Sequence, residues 1–253
     1  MSKVMIVTGA SRGIGAAVAR LAGAKGYDVA VNFVRARERA EEVAADIRET
    51  GQRAITIQAD MGKEDDILRM LETVDDALGP VSAVVNNAAI DYETPIPDMT
   101  TEGLRQVFDV NVIGLFIMAR EVLPRMSTQH GGQGGSIVNV GSISARYGGL
   151  PSDVPYAASK GAVDSFTKGL AHEYAEHGIR VNCVRPGLVL TDMWEHSIGV
   201  EAAVALGKTG SMLKRIGQPE EVAAMVLWLC SDEASYVTAA IYDVDGGRGN
   251  RPA

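Results

Sequence analysis

Cysteine is scarce in this chain: two in 253 residues, Cys183 and Cys230. Far apart and outside any CxxC pair, they exclude a disulfide framework and point to reduced thiols in a cytoplasmic protein. Histidine is nearly as scarce. His130, His172, His177 and His196 show no HExxH or other ligand spacing, so no metal is expected. Positive charge is in deficit, with 24 Lys and Arg against 32 Asp and Glu and a net charge of −8. That balance excludes broad binding to nucleic acid or an anionic membrane, which needs a basic face. No window approaches the roughly 18 continuous apolar residues of a membrane span. MSKVMIVTGA lacks the basic stretch and long apolar run of a signal peptide. Repeats and charge blocks are missing too, and the short glycine-rich stretch from His130 to Gly135 reads as a surface loop.

What is present alternates. Apolar, β-branched runs at Lys3 to Thr8, Val29 to Phe33, Ala54 to Gln58, Ser82 to Asn86, Gly135 to Val140, Arg180 to Val184 and Ala240 to Val244 read as strands. Between them, helical periodicity covers Gly13 to Lys25, Glu38 to Glu49, Glu64 to Leu78, a long stretch from Thr101 to Met126, Tyr156 to His177 and Glu220 to Cys230. Strands such as VMIVT are apolar without alternation, as strands covered on both faces are. The rhythm predicts one α/β domain over 1–253 with a doubly wound parallel sheet. Right-handed crossovers place the loops after the strands along one edge, where ligands bind.

The first such loop is Thr8-Gly9-Ala10-Ser11-Arg12-Gly13-Ile14-Gly15. Gly9 permits a tight turn, Gly13 a close backbone approach to a diphosphate, and Gly15 close packing of helix on strand. A diphosphate there meets free N–H groups and the positive end of the helix dipole. The spacing is G-x-x-x-G-x-G, and no Lys follows the glycines as a Walker loop requires. Further on, Tyr156 and Lys160 are four residues apart, hence on one helix face, and Pro155 favours a helix start. Gly141-Ser142 lacks the G-x-S-x-G elbow of a serine hydrolase.

TGASRGIG, with Asn86-Asn87-Ala88-Ala89, Asn111 in DVNVIG, Ser142, Tyr156-Ala157-Ala158-Ser159-Lys160, Arg180-Val181-Asn182, Pro186-Gly187 and Asp245-Gly246-Gly247, resembles the short-chain dehydrogenase/reductase family over essentially the whole chain. Two family glycines are replaced, by Ala89 and by Ala239. The resemblance implies seven strands in the order 3-2-1-4-5-6-7, an oxidoreductase acting on CH–OH groups and a homotetramer. It also implies a nicotinamide nucleotide held along Gly9, Ser11, Arg12, Gly13, Ile14, Gly15, Asn32, Arg35, Asp60, Met61, Asn87 and Ala88. Contacts from Tyr156, Lys160, Pro186, Gly187, Val189 and Thr191 complete that set. The implied catalytic residues are Asn111, Ser142, Tyr156 and Lys160. Ser142 holds the substrate oxygen, while Asn111 kinks its helix and holds a water behind Lys160.

Reduction of a carbonyl needs hydride on carbon and a proton on oxygen. A free phenol, with a pKa near 10, is a poor base at neutral pH. An ammonium about 4 Å away favours the phenolate by roughly 4 kcal/mol at an effective dielectric near 20. Lys160 is therefore expected to lower the Tyr156 pKa by about 3 units and to hold the nicotinamide ribose with its three donors.

NAD enzymes usually carry a carboxylate at the end of strand two. Here that place holds Asn32-Phe33, with Arg12 and Arg35 near enough in sequence to meet a 2′-phosphate, which selects NADP(H) over NAD(H). The substrate loop, about 188–217, with Met193, Trp194 and His196, and the nearby Tyr92, Arg146 and Tyr147, gives a polar and aromatic mixture. That mixture names no substrate; the resemblance, nearest to bacterial 3-oxoacyl-carrier-protein reductases and glucose/sugar dehydrogenases, implies a small-molecule partner, a 3-oxoacyl thioester or a sugar or small ketone. The alternative is a non-catalytic NADP(H)-sensing regulator on the same fold.

Overall fold

The crossover rhythm puts helices on both faces of the sheet. A computed structural model describes residues 3–192 and 199–250. Its strands are β1 (Lys3–Val7), β2 (Tyr27–Phe33), β3 (Ala54–Gln58), β4 (Val81–Asn86), β5 (Gly135–Val140), β6 (Ile179–Pro186) and β7 (Ile241–Val244). Among the described residues they form one seven-stranded sheet in the order β3-β2-β1-β4-β5-β6-β7, every pairing parallel. The reversal of order at β1 and β4 opens a crevice beyond their C-terminal ends, where ligands of such sheets bind.

One face carries α1 (Gly13–Ala24), α2 (Arg37–Glu49) and α9 (Pro219–Cys230); the other carries α3 (Glu64–Ala77), α5 (Gly114–Met126) and α7 (Val154–Tyr174). Two apolar cores result. One holds Val18, Ala22, Val43, Ile47, Val226 and Leu229 against Met5, Val29 and Val31; the other holds Ile67, Leu71, Met118, Val122 and Leu170 against Ile6, Val84 and Ile137. The apolar strands are thus covered on both sides, the reason their sequences do not alternate.

Three sequence readings need correction. The stretch Thr101 to Met126 is not one regular helix. It is α4 (Thr101–Phe108), a π-helical turn over Asp109–Ile113, and α5. A π turn admits one extra residue per turn, and here it rotates Asn111 inward, to 4% exposure. The helix expected at Tyr156 begins two residues earlier, at Val154, and ends at Tyr174 before a 3-10 turn. Two helices were not foreseen: α6 (Ser144–Tyr147), directly after Ser142, and α8 (Val200–Gly210), inside the variable loop.

Candidate active site

The loop between β1 and α1 is bent by Gly9 and Gly13, with φ of +63° and +55°. At Gly15 a Cβ would fall 2.3 Å from the Gly9 carbonyl oxygen and 2.5 Å from Asn87 Nδ2, so no other residue fits without moving backbone. Arg12 is the N-cap of α1, no side chain caps the helix, and its first turn is free of acids. The first N–H groups of α1 therefore face the crevice with their dipole uncompensated, a cradle suited to a diphosphate.

The walls of this cradle are braced from behind. Thr8 Oγ1 accepts from the backbone N–H of Asn87 at 2.9 Å and of Ala88 at 3.0 Å. Asn87 Nδ2 donates to the carbonyls of Thr8 and Gly9. Asn32 is fully buried. Its Oδ1 accepts from Gly9 N–H at 2.9 Å, and its Nδ2 donates to the Ile57 and Ala59 carbonyls. The Asn32 amide is thus engaged in shaping the glycine loop. Met61 is likewise a core side chain, at 5% exposure, which leaves only its backbone for contact. Asp60 accepts from Gly62 N–H through Oδ1.

Cations gather at the end of β2. Arg12 and Arg35 are both exposed. The Arg37 guanidinium lies 5.4 Å from the ring centre of Phe33. Arg39 pairs with Asp192 and lines a groove with Ser11, Arg12, Gly13, Arg20 and Thr191. Arg37 and Arg39 were missed from sequence; their signal was the i, i+2, i+4 spacing from Arg35. The segment Val189-Leu190-Thr191 crosses the loop, bridging to Gly217 through Leu190 N–H at 2.9 Å. It brings the Thr191 methyl within 3.3 Å of where a Gly13 Cβ would lie. The Pro186 carbonyl receives Ile143 N–H, and Gly187 abuts Asp245, where a Cβ would lie 2.6 Å from its Cα. Met193, Trp194 and His196 lie outside the described residues.

At the C-terminal end of β5, α7 presents Tyr156 and Lys160 beside Ser142. Ser142 lies beside the Tyr156 phenol, close enough to favour its phenolate, and Ser142 Oγ accepts from Ser144 N–H at 3.1 Å. Lys160 is 3% exposed, and its Nζ donates to the Val140 carbonyl at 2.8 Å. Asn111 Nδ2 donates to the Ile90 carbonyl and to Ser159 Oγ, while Oδ1 accepts from Ile90 N–H. Ser159 in turn donates to the Tyr156 carbonyl. One side chain thus links the π turn, the loop after β4 and α7. A cavity with room for roughly one water lies between Asn111, Asn86 and Lys160.

The electrostatics depart from the simple expectation for Tyr156. Lys160 Nζ sits 5.6 Å from the centre of the Tyr156 ring and spends a donor on backbone. Burial raises the Tyr156 pKa, Ser142 opposes it, and the charges of Asp91 and Asp153 raise it further. In this arrangement burial outweighs the lowering expected from Lys160. Burial lowers the Lys160 pKa to about 8, against the opposing influence of Cys183 and Asp164. Asp153, the N-cap of α7, is raised to about 6 by burial and by Asp91. The carboxylates at this mouth carried no sequence motif.

The comparisons with known proteins bear on the family. A family model described as enoyl-(acyl carrier protein) reductase matches residues 9–248. An uncharacterized oxidoreductase of Escherichia coli, YgfF, is 44% identical, covering 97% of this chain and 99% of its own. A 3-oxoacyl-[acyl-carrier-protein] reductase of Synechocystis is 36% identical, over 97% and 96% of the two chains. Glucose 1-dehydrogenase 2 of Bacillus subtilis is 37% identical, over 97% and 94%. Two solved structures share the fold. A blue fluorescent protein from a metagenomic library, in complex with NADPH, has a TM-score of 0.89 at 35% identity, over 97% of each chain. A short chain dehydrogenase from Burkholderia cenocepacia, in complex with NADP, has a TM-score of 0.90 at 33% identity, over 98% of each. The chain belongs to the short-chain dehydrogenase/reductase family of oxidoreductases.

Proposed function

We propose that this protein transfers hydride between NADP(H) and a carbonyl or secondary alcohol, with Tyr156 as general acid/base. The observation that carries the reading is the meeting of Tyr156, Ser142 and Lys160 beside a glycine loop at an open helix N-terminus. The N–H groups of Gly13, Ile14 and Gly15 hold the diphosphate, with Ser11 beside them. Arg12, with Arg35 and Arg37 near, meets the 2′-phosphate in place of the carboxylate an NAD enzyme would carry. NADP(H) complexes of the two solved relatives support this choice of nucleotide. Bound there, the nicotinamide ring supplies or accepts the hydride.

The remaining steps belong to the chain's own residues. Ser142 Oγ orients the substrate oxygen. Tyr156 Oη, kept protonated by burial and by Asp91 and Asp153, gives that oxygen its proton during reduction. Lys160, turned from the Val140 carbonyl toward the ribose, holds the nucleotide and re-supplies the proton. Asn111 fixes the helix that carries both. A 3-oxoacyl thioester, a sugar or a small ketone is the substrate class, in keeping with relatives named for the first two. Buried free thiols at Cys183 and Cys230 suit a cytoplasmic setting. Among the described residues no helix is long and apolar enough to cross a membrane. Exposed Ile113 and Phe116 near Phe166 suit a homotetramer. The comparisons lend a sensing regulator no support.

The test is NADPH oxidation screened against ketones, sugars and 3-oxoacyl thioesters, with Tyr156→Phe run beside the wild type. Turnover of at least one class is expected, and the variant should lose it while still binding NADPH. A variant that keeps more than about a tenth of kcat, a loss under about 1.4 kcal/mol, removes Tyr156 as the main proton donor.

A further inference from the structure

Lys160 is not alone in its buried pocket. One turn further along α7, Asp164 is 8% exposed. Side chains at i and i+4 of a helix have Cβ atoms roughly 5–6 Å apart, within reach of a Lys–Asp pair. Cys183, fully buried on β6, forms part of the wall beside Asp164, its Sγ 3.7 Å from Asp164 Oδ1. A buried carboxylate without a partner would take the nearest ammonium. Yet Lys160 Nζ donates to Val140.

The reason is Arg185, also on β6. Its Nε donates to both Asp164 oxygens, at 3.1 and 3.0 Å, and its Nη2 binds Oδ2 more closely. A guanidinium fork matches a carboxylate in a way an ammonium cannot. The Arg185 stem passes under the loop that carries Ser142: a Cβ on Gly141 would lie 3.3 Å from Arg185 Cγ and 2.8 Å from Cys183 Sγ. Its Nη1 lies 3.5 Å from Asp243 Oδ1 on β7.

We infer that Arg185 is a positioning residue: by occupying Asp164 it keeps the Lys160 ammonium free for the nucleotide ribose and Tyr156. The inference rests on the role of Lys160 proposed above. It separates two outcomes that an ordinary structural ion pair would not. Removal of Arg185 alone leaves Asp164 to capture Lys160. Removal of Arg185 and Asp164 together takes that carboxylate away, while Asp243 keeps its bond from Arg146, and a buried ion pair replaced by apolar side chains is often tolerated.

The experiment compares wild type, Arg185→Met and Asp164→Leu/Arg185→Met. NADPH affinity is read by fluorescence titration, kcat and KM by NADPH oxidation, and folding by circular dichroism and thermal unfolding. Arg185→Met is expected to weaken NADPH at least about tenfold, with KM for NADPH rising more than kcat falls. The double variant is expected to recover to within about threefold of wild type, a coupling that additive effects forbid. NADPH affinity unchanged in Arg185→Met overturns the inference, and so does a double variant as impaired as the single. If Arg185→Met does not fold, Arg185→Gln and Asp164→Asn/Arg185→Gln carry the same comparison. A wild type that neither binds nor oxidises NADPH refutes the functional reading instead, a distinct result.

Discussion

Lys160 carries a charge into a place with 3% exposure. Its pKa in the fold is about 8, lowered by burial from 10.5. Below pH 8 it is charged in both the folded and the unfolded chain, and the fold bears the full penalty, on the order of 3 kcal/mol at about 1.4 kcal/mol per unit. Between pH 8 and 10.5 the unfolded chain binds more protons, so the stability contributed here rises with pH. Lys160→Met is thus expected to raise unfolding stability at pH 7 by about 1–3 kcal/mol, less than the whole penalty because the bond to Val140 goes with it. That gain should shrink as pH climbs from 8 to 10.5. Chemical denaturation of both proteins at several pH values checks it, and a variant less stable at pH 7 contradicts it. Arg12 poses the reverse case, an exposed cation with a ligand to meet. Arg12→Ala should raise KM for NADPH by about 10- to 150-fold, the effect of one lost hydrogen bond to a charged group. KM for NADH should move much less. Equal losses with both nucleotides would show that Arg12 supports the loop and does not read the phosphate.

Among the elements, α4, the π turn and α5 show how a helix can serve a site. A regular helix over 101–126 would turn Asn111 elsewhere. The π turn gives Asn111 its three hydrogen bonds to Ile90 and Ser159, and so couples two segments to α7. Between β6 and β7 the backbone shows a cost of another kind. Ala239 stands where the family has glycine, and its φ is +59°. A left-handed L-residue costs roughly 1–2 kcal/mol, part of which glycine returns in the entropy of the unfolded chain. Ala239→Gly should therefore stabilise the protein by about 1 kcal/mol, read as a higher midpoint in denaturant with an unchanged slope. A lower midpoint would mean that the methyl packs to advantage.

For the whole molecule, the outer surface of α5 and α7 is the informative one. Phe116 is 53% and Ile113 49% exposed. Phe116 meets Phe166 edge to face with ring centres 4.5 Å apart. This apolar group is the proposed contact between copies of the chain. The wild type is expected to sediment as four copies of its 26.7 kDa chain, and Phe116→Glu should shift it toward smaller species by placing a charge in the contact. A wild type sedimenting at the mass of one chain removes the proposed tetramer.

The succession of strands and helices, the glycine loop and the Tyr156–Lys160 spacing were legible in the sequence because each depends on local pattern: apolar runs, glycine at fixed offsets, one helix face; the order of strands in the sheet came from the family resemblance. Strand limits came within two residues for most elements, and β3 and β5 matched at both ends. What needed the tertiary structure were facts of distance between remote segments. The π turn follows from packing against Ile90 and Ser159, not from the sequence of DVNVI alone. Asn32 faces inward because Gly9, Ile57 and Ala59 surround it. The direction in which Tyr156 shifts is set first by its burial, with Ser142 opposing and Asp91, 65 residues distant along the chain, adding to it. Whether Lys160 is free depends on Arg185, one strand over. Charge and hydrogen bonding act through space, and only the folded chain sets those distances.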